Sequence, residues 1–187
     1  MTRRVAVFVD GSNFWQACLL AKVRPDYRKV LAYVERHGEL VSPHYFTALP
    51  PQGVDAPLRQ LTDWLGYNGW TVVSKPTKII PGANADGSDK MKGNMDIEIV
   101  VQAFRMSEWI TDLVLCSGDG DFKPMVEEMH NRGLRVHVIS TMEVVGDELR
   151  RQCYSYTDLI DIADELRQDG NRDDTKPGLN FLRNHRS

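Results

Sequence analysis

The 187-residue chain has little cysteine, no long apolar run and almost no charge imbalance, and each shortage removes a class of protein. Its three cysteines, Cys18, Cys116 and Cys153, are an odd number without a C-x-x-C pair. That argues against a disulfide framework or a zinc cluster and for a reducing cytoplasm. No stretch reaches the roughly 18 apolar residues of a membrane span. The opening MTRRVAVFVDG carries two arginines, but the apolar run behind them is short and closes on Asp10. It reads as a first strand rather than a signal peptide. A formal net charge of -3 gives no general pull toward nucleic acid, so any such attraction must come from a local basic patch. Internal repeats are absent as well.

What is present is an ordinary globular composition, 42% hydrophobic and 26% charged, in a chain long enough for one sizeable core and short for two. Five short β-rich runs recur: RVAVFV (4–9), HYFTAL (44–49), TVVS (71–74), DLVLCS (112–117) and RVHVIS (135–140). Segments with helical spacing lie between them. Tyr27, Val30, Leu31 and Val34 share one face over 26–37, and Leu58, Leu61, Trp64 and Leu65 do so over 57–66. A third helix should begin near Gly93 or Asn94 and bury Ile97, Val100, Val101 and Phe104, and KPMVEEMHNRG reads as a fourth. Strands alternating with helices imply a mainly parallel sheet of about five strands covered on both faces, a doubly wound α/β domain. Residues 75–94, with two prolines, three glycines and four lysines, are long for a connection, which marks a functional or disordered loop. From Gln168 the periodicity stops. The domain is therefore expected over 1–167, with 168–187 a mobile tail in which Leu179, Phe181 and Leu182 could dock.

The carboxylates are placed unusually. SGDGDF sets Asp119 and Asp121 around a glycine where a buried strand ends, Asp10 closes the first strand, and Asp96 falls in the first turn of a helix. Open parallel sheets bind ligands outside the carboxyl ends of their strands, where the strand order reverses. Each acid has a plainer reading: Asp121 as the cap of a helix opening at Phe122, Asp10 as a turn residue beside Gly11, and Asn13 as the cap of a helix starting at Phe14. Three separate segments delivering an Asp to one sheet edge argue against caps alone. Converging carboxylates repel and raise one another's pKa unless a hard cation such as Mg²⁺ or Mn²⁺ joins them. Such an ion can activate a water and stabilise a phosphoryl oxygen, which implies phosphodiester hydrolysis.

Other residues are plainer. His37, His44, His130, His137 and His185 show no ligand spacing, and His137 reads as a strand residue. Trp15, Trp64, Trp70 and Trp109 read as packing, Met91 and Met95 as gap fillers. Lys92, four residues before Asp96, is either a solvated lysine or a phosphate contact. Two rival enzymes leave gaps. A phospho-aspartate mechanism at Asp10 wants an acid two residues on, where Ser12 stands, and thiamine diphosphate binding at GDG wants paired asparagines that MEVVGDELR lacks.

Together, VFVDGSNFW, KMKGNMDIEIVVQAF and LVLCSGDGDFKPMVEEMHNRGLRVHVIS resemble the NYN domains, in particular the LabA-like branch of the PIN-like nuclease superfamily, over residues 4–162. The resemblance implies a three-layer α/β/α PIN-like (Rossmannoid) fold and a ribonuclease dependent on Mg²⁺ or Mn²⁺. By motif, Asp10, Asp96, Asp119 and Asp121 look like the catalytic metal-binding acids. Asn13 looks like a residue that orients water or a phosphate oxygen, and Ser117 like a hydrogen-bonding partner at the strand end. Cleavage with departure of the 3′ oxygen would leave 5′-phosphate and 3′-hydroxyl ends. Lys75, Lys78, Lys90 and Lys92, with only Asp86 and Asp89 as nearby acids, would meet the RNA backbone. Similar proteins often carry another Asp about two turns into the helix, where this chain has Gln102. The family also admits a non-catalytic alternative, a regulatory module that binds RNA or a protein partner, and a homodimer.

Overall fold

Residues 2–51, 55–80, 82 and 90–169 are described by a computed structural model, with the backbone alone at 79, 80 and 90–92. The tail from 170 onward, with Leu179, Phe181 and Leu182, lies outside the described residues, as do Asp86 and Asp89. Strands are β1 (Arg4–Asp10), β2 (Glu39–Leu49), β3 (Thr71–Pro76), β4 (Lys78–Ile80), β5 (Lys90–Lys92), β6 (Asp112–Cys116), β7 (Arg135–Ser140) and β8 (Ser155–Asp158). Helices are α1 (Gly11–Leu20), α2 (Tyr27–Val34), α3 (Ala56–Tyr67), α4 (Asp96–Met106), α5 (Lys123–Asn131), α6 (Asp147–Gln152) and α7 (Ala163–Leu166).

Six strands form one parallel sheet in the order β3-β2-β1-β6-β7-β8. The two central strands, β1 and β6, are buried almost throughout because helices cover both faces. Alternation along β1 assigns the faces. Val5, Val7 and Val9 pack with Phe14 and Cys18 of α1, Val30 of α2 and Leu65 of α3. Ala6 and Phe8 pack with Ile99 of α4, Met129 of α5 and Leu149 of α6. The result is the expected three-layer α/β/α sandwich. No helix among the described residues is long and apolar enough to cross a membrane.

The sheet has one strand more than the sequence pattern suggests. The sixth, SYTD in β8, is an edge strand whose four residues are all half-buried, so it carries no alternation to read. β2 starts at Glu39, earlier than the run beginning at 44, and its pairing with β1 shifts register between Val5 and Ala6. Helix α4 turns a different face inward. Ile99 and Ala103 are fully buried, with Met95 nearly so, whereas Ile97 is 72% exposed and Val101 and Phe104 are exposed too. The small Ala103 lets the helix approach the sheet, and the Arg132 guanidinium covers the Phe104 ring from 4.9 Å. Of the expected stripe, only Val100 packs against the core. In the 75–94 segment, β4 and β5 form an antiparallel ribbon in which Lys78 pairs with Lys92 and Ile80 with Lys90.

At the opposite end of the sheet from the strand termini, the wholly buried Asp112 is met by Arg3 at 2.5 Å, Arg135 at 2.8 Å, and His137 at 2.9 Å. His137 also bonds Ser155 on β8 and is a strand residue, as expected.

Candidate metal centre

Strand order reverses between β1 and β6, which run side by side with Val9 opposite Cys116. Their carboxyl ends open a crevice, and the chain leaves β1 through Asp10. Asp10 is 5% exposed and caps α1. Its Oδ1 accepts from Ser12 Oγ at 3.1 Å and from the Asn13 amide at 3.4 Å, and its Oδ2 accepts from Ser117 Oγ at 3.2 Å. Burial nonetheless pushes its pKa up, and the charge of Asp96 adds to the rise.

Ser117, wholly buried at the end of β6, also accepts from the Asp119 amide at 3.2 Å. Asn13 Oδ1 accepts from the Gly118 amide at 2.7 Å, so α1 clamps the turn that carries the acids. Gly118 has no room for a side chain, since a Cβ there would stand 2.5 Å from Ser140 Oγ and 2.9 Å from the Val145 backbone. The Gly146 amide donates to its carbonyl at 2.8 Å. Beyond it Asp119 Oδ1 accepts from the Asp121 amide at 2.9 Å and caps a short 3₁₀ turn, Gly120–Phe122, leading into α5.

The third segment is held locally. Asn94 Oδ1 accepts from the Asp96 amide at 2.7 Å, and its Nδ2 donates to Asp96 Oδ2 at 2.5 Å, fixing the carboxylate at the start of α4. Burial raises the Asp96 pKa against this hydrogen bond, and the charges of Asp119 and Asp121 raise it further.

One carboxylate oxygen each from Asp96, Asp119 and Asp121 lies within 4.8 Å of the others, an arrangement that could hold a metal ion. Asp10, Asp96 and Asp119 line one pocket of about 180 Å³ together with Ser12, Asn13 and Asn94. The acids at 10, 96 and 119 therefore share a cavity, but Asp10 is fastened to its three donors and is not part of the triplet, whose third member is Asp121. The capping roles also differ from the sequence reading. Asp10 rather than Asn13 caps α1, and Asp119 rather than Asp121 caps the turn after β6. A carboxylate immediately before the turn accepts from the free amide two or three residues on, while Asn13 and Asp121 sit inside the turns themselves.

Among the lysines, Lys75 is bound by Glu98, both of whose carboxylate oxygens lie 2.8 Å from its Nζ, so it is not available as an unpaired phosphate contact. Lys78 is exposed. Lys90 and Lys92 lie on β5, and their side chains are outside the described residues. Gln102 does not line the acidic pocket; its Nε2 lies 3.0 Å from Nε2 of the buried His44. Sequence reasoning missed Asn94 and Ser12. The signal for Asn94 was a polar capping residue just before the helix, and for Ser12 a hydroxyl two residues after a strand-end acid.

An open parallel sheet with carboxylates gathered at its reversal point defines a doubly wound α/β protein with an acidic site suited to a cation. The chain belongs to the NYN domain family, whose model matches residues 4–161, within the PIN-like nuclease superfamily. It is 34% identical over 162 residues, 85% of each chain, to the low amplitude and bright protein LabA of Synechococcus elongatus. The fold is shared with the crystal structure of a protein of unknown function, VPA0982, from Vibrio parahaemolyticus. That likeness has a TM-score of 0.71 and 23% identity, covering 88% of this chain and 96% of that one.

Proposed function

We propose that the protein is a divalent-metal-dependent ribonuclease that hydrolyses phosphodiester bonds in the pocket between β1, β6 and α4. The observation that carries this reading is the approach of Asp96, Asp119 and Asp121 to within 4.8 Å, in a chain of the NYN family. Asp96, Asp119 and Asp121 would hold the ion through hard carboxylate oxygens, a donor set that suits Mg²⁺ or Mn²⁺. Burial raises the Asp96 pKa, and the charges of Asp119 and Asp121 add a smaller rise that a bound cation would offset. When bound, a divalent ion supplies an acidified water and positive charge beside a phosphoryl oxygen.

The chain's own residues hold the geometry. Asn94 aims Asp96, Ser117 ties the Asp119 backbone to Asp10, and Asn13 fixes the Gly118 peptide. On this reading Asn13 Nδ2 is a donor toward water or phosphate, and Lys90 and Lys92 meet the backbone of the RNA. Departure of the 3′ oxygen leaves 5′-phosphate and 3′-hydroxyl ends. The catalytic unit is residues 1–167 with 168–187 a tail, and a reducing cytoplasm fits three free thiols.

The test is incubation of single-stranded and structured RNA with Mn²⁺, comparing wild type with Asp119→Asn and Asp10→Asn. Asp119→Asn should lose on the order of 100-fold in cleavage rate and Asp10→Asn roughly 10- to 100-fold. Equal residual cleavage in all three would assign the activity to a contaminant and overturn the proposal. A second reading, a catalytically weak or inactive domain that binds RNA or a protein partner through the same pocket, draws on Asp10 standing outside the triplet. It expects Mn²⁺ and RNA to bind without cleavage.

A further inference from the structure

A second cavity, of about 420 Å³, adjoins the acidic pocket, and Ser12 and Gly93 line both. Gly93 packs closely on β2 there, since a Cβ would stand 2.1 Å from Ala48 Cβ. Trp15 of α1 and Leu58 and Leu61 of α3 contribute apolar wall, and Tyr27 and Tyr45, ring centroids 5.7 Å apart, contribute aromatic surface. The polar lining is Ser12, Arg24, Thr47, Asp55, Thr77 and Gln168. Thr77 Oγ1 is buried without a hydrogen-bond partner among the described residues. Asp55 Oδ1 accepts from the Leu58 amide at 2.9 Å.

The chemistry narrows the occupant. The volume falls in the lower range of small-molecule sites and holds one nucleoside. The charged residues of the lining are Arg24 and Asp55, one of each sign, so the cavity has no net pull on a phosphate; the phosphate is left to the neighbouring acids and their cation. Apolar and aromatic walls with a few donors and acceptors are what an unstacked base requires.

We infer that this cavity receives one unstacked base of a single-stranded RNA whose adjoining phosphate lies at the Asp96, Asp119 and Asp121 cluster. The inference rests on the nuclease reading of that cluster and adds a base subsite to it. A base paired within a duplex cannot enter this cavity.

The experiment measures fluorescence anisotropy of a labelled adenylate pentanucleotide and of the same backbone without bases. Ca²⁺ replaces Mn²⁺ so that cleavage does not consume the probe. Wild type should bind the abasic pentamer roughly 5- to 50-fold more weakly. Leu58→Trp, which fills the cavity, should bind the adenylate as weakly as the abasic strand, with Mn²⁺ affinity by calorimetry unchanged. Trp15→Ala, on a half-exposed wall, should lose part of the same discrimination and decides the matter if Leu58→Trp fails to fold. Equal binding of both pentamers by wild type, or discrimination retained in the folded variants, overturns the base pocket. If wild type still cuts RNA in that case, the nuclease reading stands alone. Absence of both RNA binding and cleavage removes the two together.

Discussion

Ser117 Oγ donates to Asp10 Oδ2 at 3.2 Å and accepts from the Asp119 amide at 3.2 Å, so one buried hydroxyl ties the end of β1 to the acidic turn after β6. Ser117→Ala leaves both partners short of a hydrogen bond inside the fold. It should cost about 1–3 kcal/mol of stability in denaturant melts and weaken Mn²⁺ binding roughly 10-fold by calorimetry. Unchanged Mn²⁺ affinity would show that the link serves folding alone.

Asp10 and Asp96 both hold their protons above the ordinary value of 3.8, chiefly because they are buried. As pH rises from 3.8 through their folded values, the unfolded chain loses these protons first. Their contribution to stability therefore falls with rising pH across that window. Divalent cation affinity should rise across the same window, because the ion competes with those protons. Calorimetric Mn²⁺ titrations between pH 4 and pH 7 test this, and a flat profile would contradict it.

A cation relieves the repulsion among Asp96, Asp119 and Asp121, so saturating Mn²⁺ should raise the melting temperature. At a free concentration 100-fold above Kd the stabilisation is about 2.7 kcal/mol. Asp96→Asn removes one of the repelling charges. Its metal-free form should melt no lower than wild type at pH 7, while its response to Mn²⁺ disappears. A full thermal response in Asp96→Asn would exclude this carboxylate as a ligand.

Gln102→Ala should leave Mn²⁺ affinity within about 2-fold of wild type, because the side chain serves His44 on β2 rather than the acidic pocket. Its cost is in stability, about 1 kcal/mol for the lost hydrogen bond. A large fall in metal binding would place Gln102 in the site after all.

Burial alone would raise the Asp112 pKa, but hydrogen bonds from Arg3, Arg135, His137 and Thr111 outweigh it and hold the carboxylate well below the usual range. This contribution is present above pH 3.8 and is lost as pH falls below it, opposite in sign to Asp10. Asp112→Asn leaves cationic partners uncompensated, though Arg3 and Arg135 are partly solvated. It should cost about 2–3 kcal/mol, below the figure for a wholly buried pair, and flatten the acid limb of the stability profile.

Strand-end acids were legible because a strand that is apolar on both faces announces its own end: VFVDG and VLCSGDGD give Asp10 and Asp119 without further information. The inward face of α4 was not. Ile97, Ile99, Val100, Val101 and Phe104 crowd one short helix, and periodicity favours the bulkier side chains. The fold instead selects Ile99 and Ala103 because closeness to the sheet rewards a small residue. β8 was invisible because an edge strand at half burial needs no alternation. Caps were misassigned by two or three residues because an Asp before a turn and an Asp within it look alike in sequence. The cavity lined by α1, β2 and α3 depends on how segments distant in the chain pack together, which no local pattern encodes.

The turn bearing Asp119 rests on Ser140, Val145 and Gly146, all of which come later in the chain. A nascent polypeptide emerging from the ribosome thus exposes its acidic residues well before it possesses the segment that seats them. Seating of that turn waits on residues 140–146, so a product of synthesis interrupted before them would retain the motifs and lack the pocket.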